Sequence, residues 1–416
     1  MGTVTEHTLD RLGAQLEYAL SRSPYYRRAW RAHRASALAG LGDLADLRAL
    51  PFTTTDQIDA AGPLGLSAVD RTRIARYAES RDTRGRTLGA AATATDLGRA
   101  SAAMEEALRA HVRPDDLAFV AVPYELSGGA HDMDRALSAL GTGVVGVGAL
   151  SAVCPPARTV ALMARTHPSV FVATPDRAAR THHELALAGH DPRTVGLRTL
   201  LHVGGACAPA KAAKTAALWG TSTVWAYGST LTPAAGLPCV LGSVHLNDAQ
   251  YLAEVVDPDG TDPVPDGRPG ELVLTTLTAE ATPLLRWRTG DLVRRTRCGC
   301  DDPRPSLEQH GRVEDRRRSP TGRTLTAVEL EQAALTVPGT GLYCVTGTVD
   351  GQPTARIDAT ARLDATAPDV CHEVAAALRE LSGVAWQVTA ADRRTFLDAT
   401  VRAGRRRLDL RDLEAG

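Results

Sequence analysis

The chain has 416 residues, 44% of them hydrophobic, with 47 basic residues against 48 acidic ones. That length exceeds one ordinary domain, and the hydrophobic share supports a sizeable core, which excludes an intrinsically disordered chain. A formal net charge of −1 excludes a nucleic-acid surface or an anionic membrane as the main partner.

The opening stretch MGTVTEHTLDRLGAQLEYAL is charged and amphipathic, without the basic and apolar blocks of a signal peptide. No apolar run reaches the length that spans a bilayer. Seven cysteines are scattered along the chain, an odd number that does not suit a secreted disulfide framework. The expectation is a cytoplasmic protein with free thiols. Of the basic residues only Lys211 and Lys214 are lysine and the other 45 are arginine, so a mechanism that needs a tunable amine has two places to find one. Arginine in place of lysine, with abundant alanine, also has the look of a GC-rich genome.

Residues 1–60 read as helical and end in the turn-rich segment LPFTTTD. DLGRASAAMEEALRAHVR then places Leu97, Met104, Leu108 and Val112 near one helix face. DLAFVAVP is a short continuous apolar run of the kind found in strands buried on both faces. TGVVGVGAL, SVFVATP, RTLLHVGG and STVWAYG repeat that signature, with helical stretches such as PPARTVALMART and DRAARTHHELALAG between them. This alternation predicts a parallel sheet covered by helices. His182 and His183, in the polar helix, are expected to face solvent. After Tyr251 the runs YLAEVVD, GELVLTTL and PLLRWRTGDLVRR are separated by turn residues and predict an antiparallel sub-structure. GRVEDRRRSPTG marks a boundary, and its arginines 316–318 suit a solvated loop. The last hundred residues alternate strands with the helix DVCHEVAAALREL, a small α+β domain. The expected fold class is thus α/β: a large N-terminal domain over 1–312, with parallel sheets and an antiparallel sub-structure, and a small α+β C-terminal domain over 313–416.

Several of these landmarks stand in a familiar order. SPYYRRAW, LPFTTTDQI, the ATP at 173–175, YGSTLTP, GSVHLNDAQYLAEVVDP, GRPGELVLTTLT, PLLRWRTGDL, CGC and GRVEDRRR together resemble phenylacetate-CoA ligases, short members of the adenylate-forming acyl-CoA synthetase superfamily. The resemblance covers roughly residues 20 to 410 and implies the adenylate-forming fold, with the small domain as a lid. It implies ATP or AMP, and CoA, as cofactors, and a small carboxylic acid or its activated acyl group as partner. A homodimer or a pathway-enzyme partner is left open.

The family's phosphate loop aligns with Ser80-Arg81-Asp82-Thr83-Arg84-Gly85-Arg86-Thr87. Ser80, Thr83 and Gly85 match, while Asp82 replaces a glycine and sets a carboxylate where phosphate approaches. Arginines in the loop offset that charge and have the geometry to grip phosphate, so Thr83 and Arg86 are catalytic candidates; an ordinary charged surface loop is the alternative. Tyr227-Gly228-Ser229-Thr230-Leu231 matches the motif whose final glutamate holds Mg²⁺ in the family. Leucine has no oxygen donor, so the magnesium site is expected to be lost unless Glu79 or Asp82 substitutes. Asp291 of RTGDL and Arg312 after Gly311 match the family's ribose-side and hinge positions; Asp291 bonding a tight turn is the alternative. The catalytic lysine of the small domain aligns with Arg405, whose wider guanidinium directs its donors differently from an ammonium.

By the same resemblance, Tyr124 and Ser127-Gly128-Gly129 line the acyl pocket, and Gly204-Gly205-Ala206 faces it, with Gly205 also near the nucleotide. Cys239, His245, Cys298 and Cys300 match a Cys/His set that some members carry, and they suit a closed structural zinc site. Three functions follow as expectations. One is a diverged aryl-acid or small-acid ligase of secondary metabolism with its magnesium–ATP machinery weakened or lost. The others are a repurposed acyl-transfer or condensation enzyme that does not use ATP, and a non-catalytic pseudo-ligase partner.

Overall fold

A computed structural model describes residues 5–38, 41–82, 84–319, 322–359 and 367–403. The chain divides into two compact units, each built from two separate stretches: Met1–Gly148 with Val224–Glu308, and Ala149–Thr223 with Gln309–Gly416.

In the first unit, α1 (Glu6–Arg22) buries Leu12, Leu16, Ala19 and Leu20, the spacing that turns one helical stripe inward. Four short helices follow: α2 (Pro24–Ala29), α3 (Arg34–Leu38), α4 (Leu44–Arg48) and α5 (Thr55–Ala61). Asp43 with Asp46, and Thr54 with Gln57, form reciprocal caps that start α4 and α5. The hairpin β1 (Arg76–Arg81) and β2 (Thr87–Ala92) is antiparallel and closes at the pair Arg81 and Thr87. In α6 (Ala94–Leu108), Leu97, Met104 and Leu108 are buried, as is Val112 just beyond it, matching the face read from the sequence. β3 (Leu117–Val120) and β4 (Gly143–Gly146), joined through α7 (Gly128–Ala139), pair in parallel.

The second unit begins with α8 (Pro156–Thr166), β5 (Val170–Ala173), α9 (Pro175–Leu187), β6 (Thr199–Val203) and α10 (Pro209–Trp219). β5 and β6 pair in parallel, and β5 is buried along its whole length, as its unbroken apolar run requires. His182 is half-buried rather than solvent-facing: its ring packs edge-on against Trp219, 5.4 Å between centroids, and burial lowers its pKa. The period-3.6 pattern of α9 is too polar for that contact to be read from sequence.

Through β7 (Ser222–Ala226) the chain returns to the first unit, which holds five strands and the start of a sixth that form one sheet in the order β10-β11-β12-β13-β9-β8. These are β8 (Gly236–Pro238), β9 (Val244–Leu246), β10 (Tyr251–Val256), β11 (Pro269–Thr276), β12 (Trp287–Thr296) and β13 (Ser306–Arg312). Tyr227, Val244, Tyr251, Leu272, Leu274 and Val293 join in the apolar core of this region. Just before β12, the Arg286 guanidinium is buried and forks onto Glu254 at 3.0 and 2.9 Å, bonds two carbonyls of the α4 end, and lies 4.0 Å from the Phe52 ring centroid. The arginine of PLLRWRTGDL is therefore a strut that fixes where the following strand begins.

The rest of the second unit holds the short pair β14 (Arg317–Arg318) and β15 (Thr324–Leu325), then α11 (Ala327–Leu335), β16 (Thr340–Val349), β17 (Gln352–Ala359), α12 (Ala367–Ser382), β18 (Gln387–Ala391) and α13 (Arg393–Ala403). β16 and β17 are antiparallel and β17 and β18 parallel, so this stretch has the expected α+β character. The mixed α/β class read from the sequence is present in full. Among the described residues no helix is long and apolar enough to cross a membrane.

Candidate functional site

The loop between β1 and β2 is closed upon itself. Asp82 Oδ1 accepts from the amides of Arg84 and Arg86, both at 2.9 Å. Its Oδ2 accepts from Arg86 Nε at 2.6 Å and pairs with the same guanidinium's terminal nitrogen at 2.5 Å. The Asp82 side chain is only 3% exposed, and although burial opposes its charge, the bonds from Arg86 and Arg84 hold its pKa below the ordinary value. Gly85 takes a φ of +81°, which turns its neighbours' amides inward. Arg86 is further held by Asp56 at 2.7 Å, and the Thr87 amide donates to Asp59. Ser80 and Gly85 flank this arrangement, and Thr83 lies outside the described residues. The donors that would receive a phosphate oxygen here already hold a carboxylate.

Gly228 sits where a Cβ would meet the Thr232 carbonyl at 3.0 Å, so only glycine lets the chain fold tightly after Tyr227. Ser229 and Thr232 close that turn through their hydroxyls at 2.9 Å. The turn delivers Leu231, 4% exposed, into the apolar cluster that contains Leu88, Ala90, Leu252 and Leu277. Glu79 accepts from the Tyr77 hydroxyl at 3.1 Å, and Asp82 is engaged as described. These residues do not fit a magnesium ion, which needs several free oxygen donors in octahedral array.

The Tyr227 hydroxyl donates to Asp291 Oδ2 at 2.6 Å, and the Asp291 amide donates to the Thr289 hydroxyl at 3.0 Å. The two family-matched positions thus share one hydrogen bond. In the second unit, Arg312 Nε stands 3.9 Å from Glu314, and Gly205, φ +77°, lies on an exposed turn with Ala206 beside it. Arg405 lies outside the described residues.

Around the candidate acyl residues, the Tyr124 hydroxyl donates to Asp134 at 3.4 Å, and burial, then that carboxylate, pushes its pKa up to about 12. His131 packs edge-on against the Tyr124 ring and bonds its carbonyl at 3.1 Å. Ser127 precedes α7, and a Cβ on Gly128 would come within 3.1 Å of the Arg76 guanidinium, which Asp132 holds at 2.7 Å. Gly129 follows within the same turn. Sequence reasoning missed Arg76, one arginine among 45 with no local motif to single it out. Beside Leu231 lies a cavity of about 60 Å³, lined among others by Arg76, Asp96, Thr230 and Tyr251. It accommodates a few waters and is too small for an aryl acid.

Cys239, His245, Cys298 and Cys300 come together with every ligand atom within 4.8 Å of the others. Cys239 Sγ is 3.7 Å from Cys298 Sγ, and Cys300 Sγ is 3.4 Å from His245 Nε2. Those spacings fit the edges of a tetrahedron with metal–sulfur bonds of about 2.3 Å. His245 Nδ1 bonds the Arg304 carbonyl at 3.0 Å, an outer contact that leaves Nε2 with its lone pair toward the thiols. Burial opposes ionisation of Cys298, but bonds from His245, Cys300 and Ser243 pull its pKa down to about 6. The donor set suits zinc. It has no open position and would supply cross-bracing rather than catalysis.

No family model matches the chain. It is 32% identical over 298 residues to the phenylacetate-coenzyme A ligase of Thermus thermophilus and 30% identical over 292 residues to that of Aromatoleum evansii. These matches cover 70% and 69% of this chain, and in both cases 65% of the relative's own length. Among solved structures, 2-hydroxyisobutyryl-CoA ligase in the postadenylation state with 2-HIB-AMP superposes with a TM-score of 0.82 at 20% identity, over 92% of this chain and 85% of that one. ATP-bound MatB from Rhodopseudomonas palustris gives 0.55 at 20% identity, over 91% and 78%.

Proposed function

As a phenylacetate-CoA-ligase-like member of the adenylate-forming superfamily, the chain acts, we propose, on an aryl or other small carboxylic acid or on its activated acyl form. In this reading the ordinary magnesium–ATP step is weakened or lost. The observation that carries it is Asp82, whose carboxylate takes the loop amides and the Arg86 guanidinium that a triphosphate would need. Leu231, packed in the core, supports it from the metal side.

The nucleoside side is different, since Tyr227 and Asp291 keep both the family identities and a mutual hydrogen bond. A nucleoside-binding pair without metal or phosphate machinery suits an acyl-adenylate, or an acyl group that arrives already activated, better than it suits ATP with a free acid. This supports a second reading, an acyl-transfer or condensation enzyme that does not use ATP. Residues 1–312 would serve nucleotide and acyl binding, with 313–416 as a lid and Arg405 as its charge-bearing side chain. Secondary metabolism is the setting that such divergence suggests. The Cys239, His245, Cys298 and Cys300 set holds a structural zinc in this proposal.

Calorimetric titration with AMP and ATP, with and without Mg²⁺, tests the proposal together with ATP–pyrophosphate exchange over a panel of aryl acids. The expected result is AMP binding indifferent to magnesium and no exchange. Magnesium-dependent exchange with any acid of the panel sinks the loss of ATP chemistry. Absence of AMP, acyl-CoA and acyl-adenylate binding alike would favour a non-catalytic partner protein instead.

A further inference from the structure

Helix α10 lacks a cap of its own. Its N-cap residue is Ala208, which makes no side-chain capping bond, and Pro209 follows at the first helical position. Alanine is a poor cap, and a helix start leaves several amides without intrahelical acceptors. The missing acceptors come from α11. Glu331 Oε2 accepts from the Ala208 amide at 2.8 Å, from 123 residues along the chain. Gln332 Oε1 accepts from the Ala210 amide, also at 2.8 Å.

Both lysines of the chain fasten the same join. Lys211 Nζ lies 2.6 Å from Asp176, 3.7 Å from Glu331 and 4.4 Å from the Tyr343 ring centroid, with its side chain 6% exposed. Burial alone would lower the Lys211 pKa, yet Asp176 and Glu331 carry it above the ordinary lysine value. One turn on, Lys214 Nζ donates to the carbonyl and the hydroxyl of Thr340, both at 2.7 Å. An ammonium fits so narrow a slot between carboxylates and a ring face, where a planar guanidinium needs more room.

Immediately before α10 runs the turn Gly204-Gly205-Ala206, with both glycines at positive φ. A left-handed glycine turn has little rigidity of its own, so its course is set by the elements it joins. We propose that Glu331 and Gln332 are positioning residues for this turn. They complete the start of α10 from the C-terminal stretch, and Lys211 and Lys214 lock the join, so the turn is ordered only while residues 327–340 are docked. The join itself is independent of any substrate and of the proposed function.

Hydrogen exchange on the full chain, without ligand, tests it together with acetylation by acetic anhydride read by mass spectrometry. With only two lysines, each is resolved individually. In Glu331→Ala, exchange over residues 204–210 is expected to rise about tenfold while α8 keeps its rate, because one local anchor is lost rather than the fold. Lys211 acetylation rises with it. Glu331→Gln keeps an oxygen acceptor for the Ala208 amide, so slow exchange returns while Lys211 labelling stays elevated. Gln332→Ala, a milder change that serves should Glu331→Ala not fold, is expected to raise exchange at Ala210 by about threefold. Wild-type exchange over 204–210 in the folded variants overturns the proposal. So does acceleration spread evenly over the second unit, or failure of Glu331→Gln to restore protection.

Discussion

The Tyr227 hydroxyl and Asp291 Oδ2 stand 2.6 Å apart, joining the turn after β7 to the middle of β12. A phenol that donates to a carboxylate fixes its orientation, and the ribose role proposed for Asp291 depends on that orientation. Tyr227→Phe should weaken AMP binding about fivefold, which corresponds to roughly 1 kcal/mol for one hydrogen bond. Asp291→Ala should cost more, about tenfold to a hundredfold, because a charged acceptor is removed. Calorimetry without magnesium measures both, and equal affinity in all three proteins would remove the ribose role.

Asp82→Gly should open the loop to oxyanions. The wild-type chain is expected to show no saturable binding of inorganic pyrophosphate, and the glycine variant to bind it at least about tenfold more tightly as Arg86 and the two amides become available. Asp82→Asn, whose amide oxygen still occupies the backbone donors, should stay close to wild type. Pyrophosphate binding by the wild-type chain at the affinity of the glycine variant would contradict the occupied loop.

Restoring the family's glutamate at Leu231 is expected to damage the fold before it restores a metal. Leu231 is 4% exposed among aliphatic neighbours, so Leu231→Glu buries a carboxylate at a cost of about 3–5 kcal/mol. Leu231→Met should cost less than about 1.5 kcal/mol. Urea unfolding followed by tryptophan fluorescence compares them, and a stable glutamate variant that binds Mg²⁺ would show a latent metal site.

Much of this architecture is legible in the chain itself. Runs such as SVFVATP and RTLLHVGG became β5 and β6 because a strand covered on both faces needs no polar alternation. The hairpin β1–β2 left no such trace, since RYAESRDTRGRTLGAAA mixes charged residues and alanines whose pairing is decided by contacts across the strands. The four zinc-site candidates were visible as matched residue types, and their convergence needed the folded sheet. Asp82 was visible as a misplaced charge, but sequence left open whether its arginines would free the loop or fill it. The capping of α10 by Glu331 and Gln332 was beyond reach, because sequence rules for helix starts look only a few residues away.

Metal analysis of the purified chain should find about one zinc per polypeptide, and Cys300→Ser should lose it. Prolonged chelation should lower the melting temperature of the wild-type chain and leave the serine variant unchanged. A wild-type chain free of zinc with the same melting temperature as Cys300→Ser would argue against a metal cross-brace.

Acid should destabilise the second unit through His202. Burial, with the nearby Lys211 charge, lowers its pKa to about 4, so the unfolded chain takes up the proton first as pH falls below the ordinary histidine value. The associated stability is therefore complete above about pH 6.5 and is lost progressively down to about pH 4, on the order of 3 kcal/mol in all. Urea midpoints at stepped pH check this against His202→Gln, whose profile should be flatter over the same window. Identical profiles would place the acid sensitivity elsewhere.

The reliance of α10 on acceptors 123 residues downstream also sets an order of events on the ribosome. A nascent chain that has emerged only as far as β7 can already pair β5 with β6, yet α10 must wait with its first amides in water and Lys211 without Glu331. Only when α11 has left the exit tunnel does the helix acquire its cap. Synthesis therefore carries a long interval in which the glycine turn is present but unshaped, and truncation before α11 leaves that interval permanent.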